Sequence, residues 1–240
     1  MSRPPTINLT KALSFFQTWT LESAYVYGLL YADGNVTFRS SNRSILSLEL
    51  KDAEHVRRVA NIIDPEIPVY EYERTDGRTS AKLVIYRGSI VKDCVAKGLV
   101  PAKTAILQWP ADLPEALESH FARGYFDGDG TVSESIVKNS SGYTTKLRTL
   151  AFACGSDDFA LSLHSVLQRR TGASGKIWHP VASCANLSFN KKDDIRAIGE
   201  WMYAAGDLHL PRKYQKWQEV ILAYESDPNS RPTASRSVTI

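Results

Sequence analysis

Apolar positions along this chain change period in a fixed order, and that order occurs twice. Two aromatic-rich stretches, within Ser23–Phe38 and Ser119–Glu134, are apolar at helical spacing and end in a small residue followed by Asp-Gly. Apolar residues then fall at every second position, the mark of a half-buried strand. These stretches are Val36–Ser40 with Ile45–Leu50, and Thr131–Val137 with Leu147–Cys154, each pair split by a polar turn. Helical spacing returns over His55–Ile63 and Phe159–Leu167. A hairpin pattern follows in each half, Val69–Tyr86 around Asp76-Gly77 and Gly175–Phe189 through Pro180. Helices over Ile90–Lys97 and Asp193–Ala205 close the units, with tails that reach Lys103 and Lys213.

The unit is therefore α-β-β-α-β-β-α, written twice. Asp33 to Lys103 spans 70 residues and Asp129 to Lys213 spans 84, and a longer first hairpin in the second copy takes up eight of the difference. The spacing divides the chain into an N-terminal extension (1–19), a first repeat (20–107), a Pro-containing linker (108–117), a second repeat (118–225) and a flexible tail (226–240).

Composition narrows the class. Of 240 residues, 43% are apolar and 23% charged, a globular profile. The longest uncharged apolar run, Ala24–Ala32, is nine residues, far short of the roughly 20 a membrane helix needs. Three scattered cysteines, Cys94, Cys154 and Cys184, argue against a disulfide framework or a zinc ribbon. The net charge is +3, with 14 basic and 12 acidic residues up to Asp112 and 15 and 14 after it. Bulk charge alone gives no reason to expect a nucleic-acid partner; positive charge for that purpose must be local.

The chemistry lies at the ends of the first helix of each unit. Gly28 and Ala32, like Gly124 and Gly128, are small residues four apart on one helix face. Such a stripe lets two helix backbones approach closely. If these two helices pack together, Asp33 and Asp129 meet near a pseudo-two-fold axis. Paired carboxylates repel unless a cation neutralises them. Mg²⁺ suits them, held by one or two carboxylates plus phosphate oxygens and waters, and can activate water for in-line attack. Asp127-Gly-Asp129-Gly-Thr131 is not a calcium loop: Val132 and Lys138 stand where its sixth-position Gly and twelfth-position Glu belong.

Val26-Tyr-Gly-Leu-Leu-Tyr-Ala-Asp-Gly34 and Ala122-Arg-Gly-Tyr-Phe-Asp-Gly-Asp-Gly130 resemble two copies of the motif that names the LAGLIDADG homing endonucleases. Tyr27, Tyr31 and Arg123 depart from it, at positions the family lets vary. The resemblance implies an α+β fold of two pseudo-symmetric αββαββα repeats, with antiparallel saddle-shaped sheets and a central two-helix interface of Gly28, Ala32, Gly124 and Gly128. It implies a monomeric endonuclease that binds a long asymmetric duplex in the major groove and cuts each strand with Mg²⁺, leaving short 3′ overhangs. Mn²⁺ or Ca²⁺ can substitute for binding. The implied metal set is Asp33, Asp129, Ala32 and Gly128. The implied catalytic set is Asp33 and Asp129 with Lys103 and Lys213, whose cations stabilise developing charge or position water. An intron RNA maturase and a non-cleaving DNA-binding regulator remain open as alternatives on the same fold.

If the apolar strand positions face the helices, the alternate positions face DNA. This assigns Thr37, Arg39, Ser41, Tyr70, Tyr72, Arg74, Arg78 and Lys82 in the first half. In the second half it assigns Ser133, Ser135, Lys146, Arg148, Lys176, Trp178, Asn186, Ser188 and Asn190. Glu71 and Glu73 count against this assignment if they share that face. Residue 1 is no splicing nucleophile and the end is not His-Asn, so an intron-encoded or free-standing enzyme is expected over an intein. An intracellular location follows, in a bacterial or phage-host cytoplasm, with chloroplast or mitochondrion as alternatives.

Overall fold

The computed structural model describes residues 9–39, 43–138, 142, 144–182 and 184–226. The first repeat runs α2 (Leu21–Asp33), β1 (Gly34–Arg39), β2 (Arg43–Leu50), α3 (Ala53–Ile63), β3 (Val69–Glu73), β4 (Thr79–Ile85) and α4 (Gly88–Ala96), preceded by α1 (Thr10–Gln17). The second runs α5 (Glu118–Asp129), β5 (Gly130–Lys138), β6 (Thr144–Cys154), α6 (Asp157–Thr171), β7 (Lys176–Val181), β8 (Cys184–Phe189) and α7 (Lys192–Tyr203), followed by α8 (Pro211–Glu225). The α-β-β-α-β-β-α order is present twice. Helices α1 and α8 are additions that the periodicity did not predict. Ser41 and much of the expected turns at 41–43 and 138–145 fall outside the described residues, as does 227–240 of the expected tail.

Each repeat forms one four-stranded antiparallel sheet, ordered β1-β2-β4-β3 and β5-β6-β8-β7. Even positions of β2 and odd positions of β4 (Leu46, Leu48, Leu83, Ile85) face the helices and are buried. In the second sheet Leu150, Phe152, Leu187 and Phe189 do the same. Strand β7 passes through Pro180 with a register shift between Trp178 and Val181, which an edge strand tolerates because its outer N–H positions need no partner. The thiols of Cys94 and Cys154 are buried and unbonded to each other. Among the described residues no helix is long and apolar enough to cross a membrane.

Helices α2 and α5 hold the repeats together. A Cβ on Gly28 would lie 2.0 Å from the Phe121 carbonyl oxygen and 2.8 Å from the Tyr125 nitrogen. A Cβ on Gly124 would lie 1.9 Å from the Tyr25 carbonyl oxygen and 2.9 Å from the Leu29 nitrogen. These contacts are reciprocal: 28 meets 121 and 125 as 124 meets 25 and 29. That is the signature of a two-fold axis passing between the glycines. The helices touch backbone to backbone, so their C-terminal ends emerge side by side.

Arg123, where the motif departs from its namesake, is 1% exposed. Its Nε donates to the Leu208 carbonyl (3.0 Å), its Nη1 to the Met202 and Ala205 carbonyls, and its Nη2 to His120 Nδ1 (2.9 Å). It thus satisfies the open carbonyls at the end of α7 with a cation, which the helix dipole favours.

The helix contact generates a stability prediction. Gly28→Ala or Gly124→Ala forces a methyl group into a backbone carbonyl that cannot rotate away. Each is expected to cost about 3 kcal/mol or more, read as a lower denaturation midpoint. Gly88→Ala, where an added Cβ meets nothing within 4 Å, serves as the control.

Candidate active site and nucleic-acid interface

Asp33 and Asp129 end α2 and α5, and Gly34 and Gly130 turn the chain directly into β1 and β5. A Cβ on Gly128 would lie 2.2 Å from the Ala32 Cβ and 2.8 Å from Asp33 Oδ2. The small residue at 128 therefore lets the Asp33 carboxylate lean across onto the opposite helix end. Both carboxylates are reached by solvent, but the protein around them strips part of their hydration. That desolvation, added to repulsion from Asp129, pushes Asp33 up to about 6 against opposing pulls from Lys213, Lys103 and Arg212. Asp129 is raised for the first of these reasons, with Lys103 and Lys213 opposing.

Lys103 and Lys213 converge on the same place. Lys103 Nζ donates to the Ala32 carbonyl (3.0 Å). Lys213 Nζ donates to the carbonyls of Phe126 (2.7 Å) and Gly128 (2.8 Å). Burial lowers the proton affinity of both amines while the carboxylates raise it. The carbonyls of Ala32 and Gly128, expected to face a metal, carry ammonium groups in this structure.

Each lysine segment also crosses to the other repeat. Thr104, next to Lys103, packs so tightly on the β6–α6 turn that a Cβ at Gly155 would lie 2.3 Å from its Cγ2, and Ser156 Oγ donates to the Leu107 carbonyl (2.7 Å). Arg212, next to Lys213, pairs with Asp52 at the β2–α3 turn (3.1 Å). Asp33, Asp127, Lys51, Asp52, Arg74 and Arg212 line a cleft of about 220 Å³ beside the axis.

Three buried groups here, Asp127, Tyr25 and His55, lie outside the site residues assigned from sequence. Asp127 is 1% exposed, and its Oδ2 accepts from Tyr25 Oη (2.7 Å) and from the Leu210 N–H (2.7 Å), while its Oδ1 has no partner. Burial raises its proton affinity. Tyr25 gives its one hydroxyl proton to Asp127, so His55 Nε2, 2.8 Å away, is the donor to that oxygen. Burial keeps His55 neutral, with a pKa near 4. These hydrogen bonds link His55 and Tyr25 of the first repeat to Asp127 of the second.

The strand register places the predicted DNA-facing residues. Val69 pairs with Leu83 on the helix side, so Tyr70, Tyr72, Ser80 and Lys82 share the outer face with Thr37, and Arg74 follows β3. Glu71 and Glu73 lie on the helix side, and Glu71 pairs with Arg57 of α3, which removes the objection they raised. Glu49 is on the outer face, within 3.6 Å of Lys82 and 3.9 Å of Arg74. Arg39 ends β1 opposite Arg43, and Arg78 follows the Asp76-Gly77 turn. In the second sheet Ser133, Ser135, Lys176, Trp178, Asn186 and Ser188 face outward, and Asn190 follows β8. Asn190 Oδ1 accepts from Thr149 Oγ1 (2.7 Å).

Lys146 and Arg148 require correction. They pair with Ile136 and Glu134 and share the face of Leu150 and Phe152. Arg148 is 3% exposed, bonds Glu134 at 2.6 Å and lies 4.5 Å from the Tyr224 ring of α8. Lys146 also pairs with Glu134, at 3.1 Å.

No protein-family model and no curated protein matches the sequence. Solved structures do match the fold. I-SmaMI bound to uncleaved DNA target in the presence of calcium ions superposes with a TM-score of 0.61 at 13% identity, over 90% of this chain and 95% of that one. The I-SmaMI LAGLIDADG homing endonuclease bound to cleaved DNA gives 0.61 at 12%, over 89% and 93%. The homing endonuclease I-WcaI bound to its DNA recognition sequence gives 0.58 at 14%, over 90% and 95%. The chain therefore has the LAGLIDADG homing endonuclease fold, over nearly the full length of these proteins.

The raised Asp33 carboxyl has a consequence for stability. In the folded state it holds a proton that the unfolded chain has already released, between the ordinary carboxylate range and about pH 6. Folding is therefore penalised above about pH 6, and the penalty fades as pH falls through that window. Without metal, Asp33→Asn is expected to melt higher than wild type at pH 7.5. The margin is on the order of 1 kcal/mol after solvent screening. It should shrink towards zero near pH 4; a margin independent of pH would contradict this.

Proposed function

We propose that the chain is a site-specific DNA endonuclease of the LAGLIDADG type. In this reading it acts as a monomer, straddles a long asymmetric duplex with its two outer sheet faces, and hydrolyses one phosphodiester in each strand to leave short 3′ overhangs. The observation that carries this reading is the axis itself: two carboxylates on helix ends fused through glycine, each end also holding a lysine ammonium. The bound DNA in I-SmaMI and I-WcaI supports it.

The donor set fits a hard divalent cation. Among the described residues no third His, Cys, Asp or Glu joins Asp33 and Asp129, so oxygens of water and phosphate, with the Ala32 and Gly128 carbonyls beside them, would complete the shell, the manner of Mg²⁺. The calcium in the I-SmaMI complex is consistent with a divalent ion. When bound, Mg²⁺ supplies Lewis-acid polarisation of the phosphate and a more acidic water. Asp33 and Asp129 hold that charge at the axis. Until then Lys103 and Lys213 offset the two carboxylates. With DNA present, the same ammonium groups stand beside the phosphates and favour the extra negative charge of in-line attack. Tyr70, Tyr72, Lys82, Trp178, Asn186 and Ser188 offer donors, acceptors and ring faces to base edges and phosphates.

The test is cleavage of a randomised-target plasmid library in Mg²⁺, followed by sequencing of the cut ends. Wild type is expected to linearise a discrete set of sites with short 3′ overhangs. Asp33→Asn and Asp129→Asn should lose cleavage by about a hundredfold or more while still retarding the same DNA, and EDTA should act likewise. Binding should weaken steeply with salt, since phosphate contacts release counterions. A wild type that cuts no DNA with any divalent metal, or binds only an intron RNA, refutes the reading.

A further inference from the structure

The two motif copies match position for position, yet Tyr31 in the first stands opposite Asp127 in the second, and each reaches its own repeat's lysine segment. Tyr31 is 2% exposed, and its hydroxyl donates to the Lys97 carbonyl (2.5 Å) at the end of α4. The next residue, Gly98, turns the chain at φ 91°, and a Cβ there would lie 2.3 Å from that hydroxyl oxygen. The turn is thus built against Tyr31. Lys103 follows five residues later in a single 3-10 turn (Lys103–Ala105), after Ala102 at a left-handed φ of 51°.

Asp127 does the corresponding work from α5. Its carboxylate accepts the N–H of Leu210, the residue that precedes α8. Leu210 has no capping side chain and Pro211 has no N–H, so a carboxylate from another helix takes the place of a cap, where the helix dipole favours negative charge. Lys213 lies in this first turn, 8% exposed, on two carbonyls of the same α5 helix.

We propose that Tyr31 and Asp127 are positioning residues, one for Lys103 and one for Lys213, and that each governs the cleavage of a different DNA strand. The proposal rests on the endonuclease reading above. Neither residue touches substrate; each fixes the segment that carries an ammonium to the axis. A strand-specific defect is therefore the readout, because general loss of stability affects both strands alike.

The experiment uses the full chain and a supercoiled plasmid carrying a target selected as above, with the two strands labelled separately. Tyr31→Phe is expected to slow one strand by about tenfold and the other by no more than about twofold, and Asp127→Ala to slow the opposite strand by a similar factor. Nicked circles should accumulate with both. Asp127→Asn keeps an acceptor for the Leu210 N–H and should slow the same strand as Asp127→Ala by less, which carries the test if the alanine variant does not fold. Tyr25→Phe removes the other bond to Asp127 but not the Leu210 tether, and should melt lower with the wild-type ratio of strand rates. Equal slowing of both strands by Tyr31→Phe and Asp127→Ala, or no change in either, overturns the proposal. If wild type cuts neither strand, the endonuclease reading fails first and this proposal with it.

Discussion

The structure depends on one contact, the backbone-to-backbone approach of α2 and α5 at Gly28 and Gly124. Helices that pack through larger side chains stand 8–10 Å or so apart; here each glycine lies where a single methyl group would strike the partner's carbonyl. The closeness has two results. It fuses two repeats into one body, because each repeat's first helix is also the other's core wall. It also fixes where the helices end, and the chain turns into the first strand of each sheet immediately after Asp33 and Asp129. The carboxylate pair and the placement of the sheets thus follow from the same geometry.

That closeness concentrates charge. Two carboxylates at the axis, a third buried at Asp127 and two lysines share a small volume, and their proton affinities shift against one another. Such a cluster is poorly suited to stability and well suited to taking up a cation. The lysines limit the cost by sitting on backbone carbonyls, and the segments that bear them are pinned to the opposite repeat at Gly155 and Asp52. Chemistry at the axis is therefore held from four directions: both long helices and both strand-to-helix turns.

Much of this was legible in the sequence because it is local and periodic. The repeat, the small-residue stripe and the terminal Asp-Gly pairs are patterns of spacing, and the strand alternation put Tyr70, Tyr72 and Lys82 on the outer face. What failed was not local. In β6, Leu147 and Leu150 are three apart and cannot both face the core of one strand. A reading that follows Leu147 turns Lys146 and Arg148 outward, whereas the structure follows Leu150, with Glu134 and Tyr224 taking up the arginine. Helix α8 was hidden because its start, Pro211-Arg-Lys213, matches the tail of the first repeat. Arg123 and Asp127 owe their roles to carbonyls and an N–H between 79 and 85 residues away, which no spacing rule reaches.

The same long-range partners change what the net charge of +3 means. Arg123 and Arg148 are spent inside the protein, Lys103 and Lys213 are held at the axis on backbone carbonyls, and Arg169 and Arg170 are tied to Glu115 and Glu118 on the helix side. The outer face of the first sheet presents Lys82, with Arg74 just beyond β3, both moderated by Glu49. Among the described strand residues, the outer face of the second presents Lys176 as its one cation, amid Ser133, Ser135, Asn186 and Ser188. A duplex lying across both faces therefore meets unlike chemistry in its two halves. Counterion release belongs mainly to the first, and hydrogen bonding by uncharged side chains, which salt screens little, to the second. Under the proposed function, the asymmetry between the two halves is thus a difference in the kind of contact offered to a duplex as well as in the residues that offer it.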